Sequence, residues 1–120
     1  MATTLIVDDE PDIRFLIQTL IDLANDGLAV VAEAPDGAAA IEQWRRHRPD
    51  IVVLDQQMPE MSGLQVAEVI LAENPQQAIV VYTAFLDDLD LDFAGNLGIK
   101  HCVAKGDFSR LLAVLRELTF

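Results

Sequence analysis

Several apolar, β-branched runs of this chain end in residues that could do chemistry. Asp8 and Asp9 close the run TLIVD, Asp55 closes IVVLD, Thr83 closes AIVVYT, and Lys105 follows IKHCVA. If the first and third runs are neighbouring strands, three carboxylates share a small volume with one ammonium and one hydroxyl. Carboxylates that close repel one another unless a positive charge sits among them. A hard divalent ion is the natural solution, because Mg²⁺ favours one or two carboxylates together with carbonyl, water and phosphate oxygens. Such an ion would also neutralise an incoming phosphoryl group while Asp55 attacks it, since an aspartate can act as nucleophile and form an aspartyl phosphate. In-line transfer asks mainly for positioning and charge stabilisation, which Lys105 and Thr83 would supply beside the ion.

The elements that must hold these groups follow from pattern. Short β-branched runs at 4–8, 28–34, 51–55, 78–83 and 99–104 alternate with longer helical segments, as in a parallel sheet covered on both faces. The runs IVVLD and AIVVYT are nearly continuous in Ile and Val, which predicts central strands. Ile13, Leu16, Ile17, Leu20 and Leu23 recur at helical spacing and predict an apolar stripe on a helix from Pro11 to about Ala24. Pro11 suits its first turn, where a missing N–H costs nothing. Further helices are predicted over 37–47, ended by Pro49, over 63–73, ended near Asn74 and Pro75, and from Phe108 to Leu118 with Asp107 as N-cap. The segment 86–97 reads both ways: Leu86, Leu89, Phe93 and Leu97 fit a helix, whereas Leu89, Leu91 and Phe93 alternate with Asp90 and Asp92 in strand fashion. In an open parallel sheet the functional groups gather at the carboxyl ends of the strands, where the Asp, Thr and Lys residues lie.

Composition narrows the function classes. At 120 residues and 52% hydrophobic, the chain is expected to form one domain over 1–120. Twenty acidic against eight basic side chains give a formal charge of −12, which opposes binding to a phosphate backbone and argues against direct nucleic-acid contact. No run of about 18 apolar residues and no basic stretch ahead of an apolar one occurs, so a soluble, non-membrane, unsecreted protein is expected. A lone Cys102 precludes an internal disulfide and fits a reducing cytoplasm.

VDDEP at 7–11, LDQQMPEMSG at 54–63, Thr83-Ala84 and Lys105 together resemble the receiver domains of bacterial two-component response regulators, and the likeness covers essentially the whole chain. That resemblance implies a doubly wound, flavodoxin-like α/β fold with a five-stranded parallel sheet in order 2-1-3-4-5 and five flanking helices. It implies that Asp55 accepts a phosphoryl group from the phosphohistidine of a sensor histidine kinase or phosphotransfer protein. Mg²⁺, or Mn²⁺ in its place, would be held by Asp9 and Asp55, by Asp8 through water, and by the backbone carbonyl of Gln57. Lys105 would pair with a phosphoryl oxygen and Thr83 would swing toward it. A homodimer formed on phosphorylation is a further expectation from the resemblance.

The departures from that pattern matter as much. The family's lysine is usually followed by proline in a cis peptide; here Gly106 follows, and because a non-proline cis bond costs about 2.5–4 kcal/mol the bond is expected to be trans and the loop looser. The family's usual aromatic on the fifth strand falls at Cys102, which is too small for that switching task and reads as a small buried hydrophobe. Signal transmission is therefore expected through the segment around 86–97. Phe85 reads as core or interface packing, or as a shield for the acyl phosphate. Asp87, Asp88, Asp90 and Asp92 read as a solvated face, with a surface for a basic partner as the alternative. His47 and His101 read as surface residues. Two rival functions are a metal-dependent phosphohydrolase and a phosphorylation-independent binding module. The first needs an acid two residues after the nucleophile, where Gln57 stands. The second has no need of Asp8, Asp9, Asp55, Thr83 and Lys105 together.

Overall fold

The alternation of strand and helix signals is realised in full over residues 1–119, which the structure, a computed structural model, describes. Phe120, the end of the expected domain, lies outside the described residues. Strands β1 (Ala2–Val7), β2 (Leu28–Ala34), β3 (Ile51–Leu54), β4 (Ala78–Thr83) and β5 (His101–Ala104) alternate with helices α1 (Pro11–Ala24), α2 (Gly37–His47), α3 (Gly63–Glu73), α4 (Leu91–Leu97) and α5 (Phe108–Glu117). The sheet is parallel with order β2-β1-β3-β4-β5, as the resemblance implies. Side chains alternate across it. Leu5, Val7, Val52, Leu54 and Val81 pack with residues of α2, α3 and α4, whereas Ile6, Val53, Val80 and Tyr82 pack with residues of α1 and α5. Trp44, fully buried under the first face, donates its indole N–H to Gln77 Oε1 at 2.8 Å, so its ring is buried without stranding a polar group.

Local chemistry sets the helix ends. Pro11 opens α1, Asp36 caps α2 by accepting from Ala39 N–H, and Asp107 caps α5 by accepting from Arg110 N–H. Ser62 and Gln65 form a reciprocal capping box that fixes the start of α3. The ambiguous segment resolves into a 3₁₀ turn (Leu86–Asp88) followed by the two-turn α4, which Asp90 caps and Gly98, at φ +101°, ends. Leu89 is buried while Leu91 and Phe93 are exposed, so the strand-like alternation is not used.

Some expectations need correction. β1 and β3 stop one residue early, leaving Asp8 and Asp55 just beyond the ladder, and β5 begins at His101 rather than Ile99. On α1 the buried face is Ile17 and Ile21, with Ile13 packed against it, whereas Leu16 and Leu23 face solvent. Ile13, Ile17 and Ile21 recur every four residues and Leu16, Leu20 and Leu23 at four and three, so periodicity alone could not choose between them. His101 is half-buried at the start of β5, although His47 is exposed as expected.

Candidate functional site

Parallel register brings the ends of β1, β3, β4 and β5 to one edge of the sheet, and the strand-end residues converge there. Asp8 and Asp55 are buried, at 1% and 2% exposure, and Asp9 is exposed at the rim. Asp55 N–H donates to Val7 C=O at 2.9 Å, which continues the β1–β3 pairing and sets the two buried acids side by side.

Each buried carboxylate divides its oxygens in the same way. Asp8 Oδ1 accepts from Glu10 N–H at 2.9 Å, and Asp55 Oδ1 accepts from Gln57 N–H at 3.2 Å. These bonds to the backbone two residues on lock the side chains and turn both Oδ2 atoms to the same place. Lys105 Nζ stands there, 2.9 Å from Asp8 Oδ2 and 3.2 Å from Asp55 Oδ2, with Glu10 Oε1 at 3.6 Å. Lys105 is the one partner both Oδ2 atoms face among the described residues, so each retains unused acceptor capacity. One carboxylate oxygen from each of Asp8, Asp9 and Asp55 lies within 4.8 Å of the others. Three convergent hard carboxylate oxygens, two of them from buried residues, fit a small divalent cation such as Mg²⁺.

Electrostatics agree with geometry. Burial pushes the Asp55 carboxyl up to about 6, the nearby Asp8 carboxylate adds to the rise, and Lys105 only partly offsets it. Burial by itself would lower the Lys105 ammonium, but the adjacent Asp8 and Asp55 carboxylates outweigh it and hold the group above its ordinary value. The site therefore keeps a firm positive charge beside a carboxylate that carries its own charge at a cost.

Thr83 is fully buried, and its Oγ1 accepts from Phe85 N–H at 3.2 Å, the strand-end capping role that hydroxyls commonly fill. Its carbonyl accepts from Lys105 N–H at 2.8 Å, tying the ends of β4 and β5 together. Gln57 follows Asp55 on the exposed loop leading to α3. Phe85, at 54% exposure, is not core packing. Cys102 is half-buried rather than buried, and burial raises its thiol pKa. Asp87, Asp88, Asp90 and Asp92 are all exposed, as a solvated face requires. The Lys105–Gly106 bond is trans, as are the other peptides among the described residues.

Three contributors were not singled out from sequence. Arg14 Nη1 donates to Asp8 C=O at 2.6 Å while its Nε bonds Glu33, which braces the loop bearing the acidic pair. Its position one turn into α1 was the available clue. Gly63 enters the sequence reading only as the end of the LDQQMPEMSG motif and the start of the predicted helix over 63–73, yet a Cβ there would meet Asp55 C=O at 2.3 Å, so α3 can sit against the acid's backbone only with glycine. Tyr82, hidden in an apolar run, accepts from Gly106 N–H at 2.9 Å through its phenol oxygen.

Known proteins give the same picture. The family model described as "Response regulator receiver domain" matches residues 4–116. Chemotaxis protein CheY of Bacillus subtilis is 40% identical over 80 residues, covering 67% of this chain and 65% of that protein. The probable transcriptional regulatory protein TcrX of Mycobacterium tuberculosis is 42% identical over 83 residues, 69% of this chain and 34% of the relative. The matched stretch thus spans only about a third of TcrX and just under two thirds of CheY. The REC domain of AraT, a response regulator from Geobacillus stearothermophilus, superposes with a TM-score of 0.86 at 32% identity, covering 98% of this chain and 92% of that one. Sequence match and backbone agree over nearly the whole length, and the chain belongs to the family of response regulator receiver domains.

Proposed function

We propose that this receiver domain, taken as one unit over 1–120, is a phosphoacceptor switch in which Asp55 takes a phosphoryl group from a phosphohistidine of a sensor histidine kinase or phosphotransfer protein. The observation that carries the reading is the convergence of Asp8 Oδ2 and Asp55 Oδ2, both buried and under-bonded, on Lys105 Nζ.

An Asp55 carboxylate oxygen attacks phosphorus, the phosphorus–nitrogen bond breaks, and the imidazole leaves with its electron pair. Lys105 follows the negative charge, exchanging its contact with Asp55 for one with a phosphoryl oxygen. Thr83 gives up Phe85 N–H and turns its hydroxyl to another phosphoryl oxygen. Asp9, Asp55, the Gln57 carbonyl and, through water, Asp8 would hold Mg²⁺ or Mn²⁺. When bound, that ion supplies charge neutralisation for the incoming phosphoryl group. The Gln57 amide cannot protonate a leaving group, which weighs against a phosphohydrolase. With Cys102 in place of an aromatic on β5, the change of state would pass outward through 84–98, where Thr83 leads into the exposed 3₁₀ turn and α4. Action in the cytoplasm, without direct contact to nucleic acid or membrane, completes the reading; no helix among the described residues is long and apolar enough to cross a membrane.

The test is incubation with acetyl phosphate and Mg²⁺ followed by intact-mass measurement. The parent protein should gain the mass of one phosphoryl group, and Asp55→Asn should gain none. An equal gain in both proteins refutes Asp55 as the acceptor.

A further inference from the structure

The loop that carries Lys105 lacks the proline that usually stiffens it, yet two successive amides of this loop are anchored on β4. Lys105 N–H donates to Thr83 C=O at 2.8 Å, and Gly106 N–H donates to the phenol oxygen of Tyr82 at 2.9 Å. Tyr82 is buried, at 1% exposure, within the side of the sheet covered by α1 and α5. Its ring lies 6.5 Å, centroid to centroid, from that of Phe108, the first residue of α5. One rigid side chain on β4 thus touches both the residue after Lys105 and the start of the next helix.

Proline at 106 would have no N–H to give, and the φ of +94° found at Gly106 lies outside proline's range. The Tyr82 bond and a proline are therefore alternative ways to hold the same loop. Looseness expected of glycine is opposed by a hydrogen bond whose acceptor is immobilised in the core. The constraint matters because Lys105 Nζ must lie between two carboxylate oxygens, at 2.9 and 3.2 Å, and small displacements of a charged group in such a site are costly.

We propose that Tyr82 is a positioning residue, which fixes the Lys105 loop through Gly106 N–H and so sets the efficiency of phosphoryl transfer to Asp55. The proposal rests on the phosphoacceptor reading above.

The test compares the parent protein, Tyr82→Phe, Lys105→Ala and Tyr82→Phe/Lys105→Ala in phosphorylation by acetyl phosphate with Mg²⁺, with Gly106 amide exchange followed by NMR. Tyr82→Phe keeps the ring and loses only the oxygen. Gly106 exchange should rise about tenfold and phosphorylation should slow about fivefold, the size of effect one hydrogen bond gives. In the Lys105→Ala background the same change should slow the reaction no further, because a residue acting through Lys105 has nothing left to position. Three results would overturn the proposal while leaving Asp55 as acceptor: an unprotected Gly106 amide in the parent, parent-like phosphorylation of Tyr82→Phe, or equal slowing by Tyr82→Phe in both lysine backgrounds. A parent protein that takes no phosphoryl group removes the reading of the site and this proposal together.

Discussion

Asp8 and Asp55 lie buried at the carboxyl edge of the sheet, whereas Asp87, Asp88, Asp90 and Asp92 lie in water around the 3₁₀ turn and α4. Both groups crowd like charges. At the sheet edge the sequence supplies an ammonium, two backbone N–H donors and a glycine that lets α3 close in, so the charges are held at fixed positions. Around α4 no such machinery surrounds the acids, and apart from Asp90, which caps the helix, water does the screening. Acidic density by itself therefore says little about function; what distinguishes a site is the structure spent on keeping the charges together.

That contrast can be broken most forcefully at Lys105. Lys105→Met leaves two buried carboxylates without their cation and should lower the stability of metal-free protein at pH 7 by about 3 kcal/mol, read from urea unfolding. A loss no larger than that of a surface substitution would mean the pair is not held as described. A smaller effect comes from acidity. The native Asp55 carboxyl, at about 6 against an ordinary 3.8, binds its proton more tightly than the unfolded chain does. Its contribution to stability is thus fully present below about pH 4 and is lost as the pH rises through about 6; about 2 kcal/mol of it goes between about pH 4 and about pH 6 in metal-free protein, a change that Asp55→Asn should abolish. Urea midpoints across that range, in chelator, measure it. The smallest effect belongs to the other region: Asp88→Asn with Asp92→Asn should shift stability by less than about 0.5 kcal/mol, since both side chains are exposed. A shift above 1 kcal/mol would reveal a constraint around α4 that the contacts do not contain.

Most of this architecture is legible in the sequence, because helical and strand periodicities, proline and glycine breakers and capping residues agree along nearly the whole chain. The convergence of Asp8, Asp9, Asp55 and Lys105 was legible for a related reason: a parallel sheet forces successive strand ends to one edge. What escaped depends on contacts between residues distant in sequence. Nothing in the spacing of α1 told Ile21 from Leu16, since either face is regular. Nothing in AIVVYT distinguished Tyr82 as a hydrogen-bond acceptor, because its partner sits in a loop after another strand. Gly63 advertised a turn but not the approach to Asp55 that makes its missing side chain necessary. Of the readings of Phe85 as core packing, interface packing or a shield, its exposure removes only the first, and that exposure follows from β4 ending at Thr83, which releases the chain to the rim.

The order of the strands has a consequence for the chain as it is synthesised. β1 and β3 are neighbours and both precede β5 by some fifty residues or more, so the two buried acids leave the ribosome well ahead of Lys105. A chain that pairs β1 with β3 before β5 docks would bring the two carboxylates together without their ammonium. The final strand brings the missing ammonium, and mutual attraction gives the last βα unit an electrostatic reason to dock where it does.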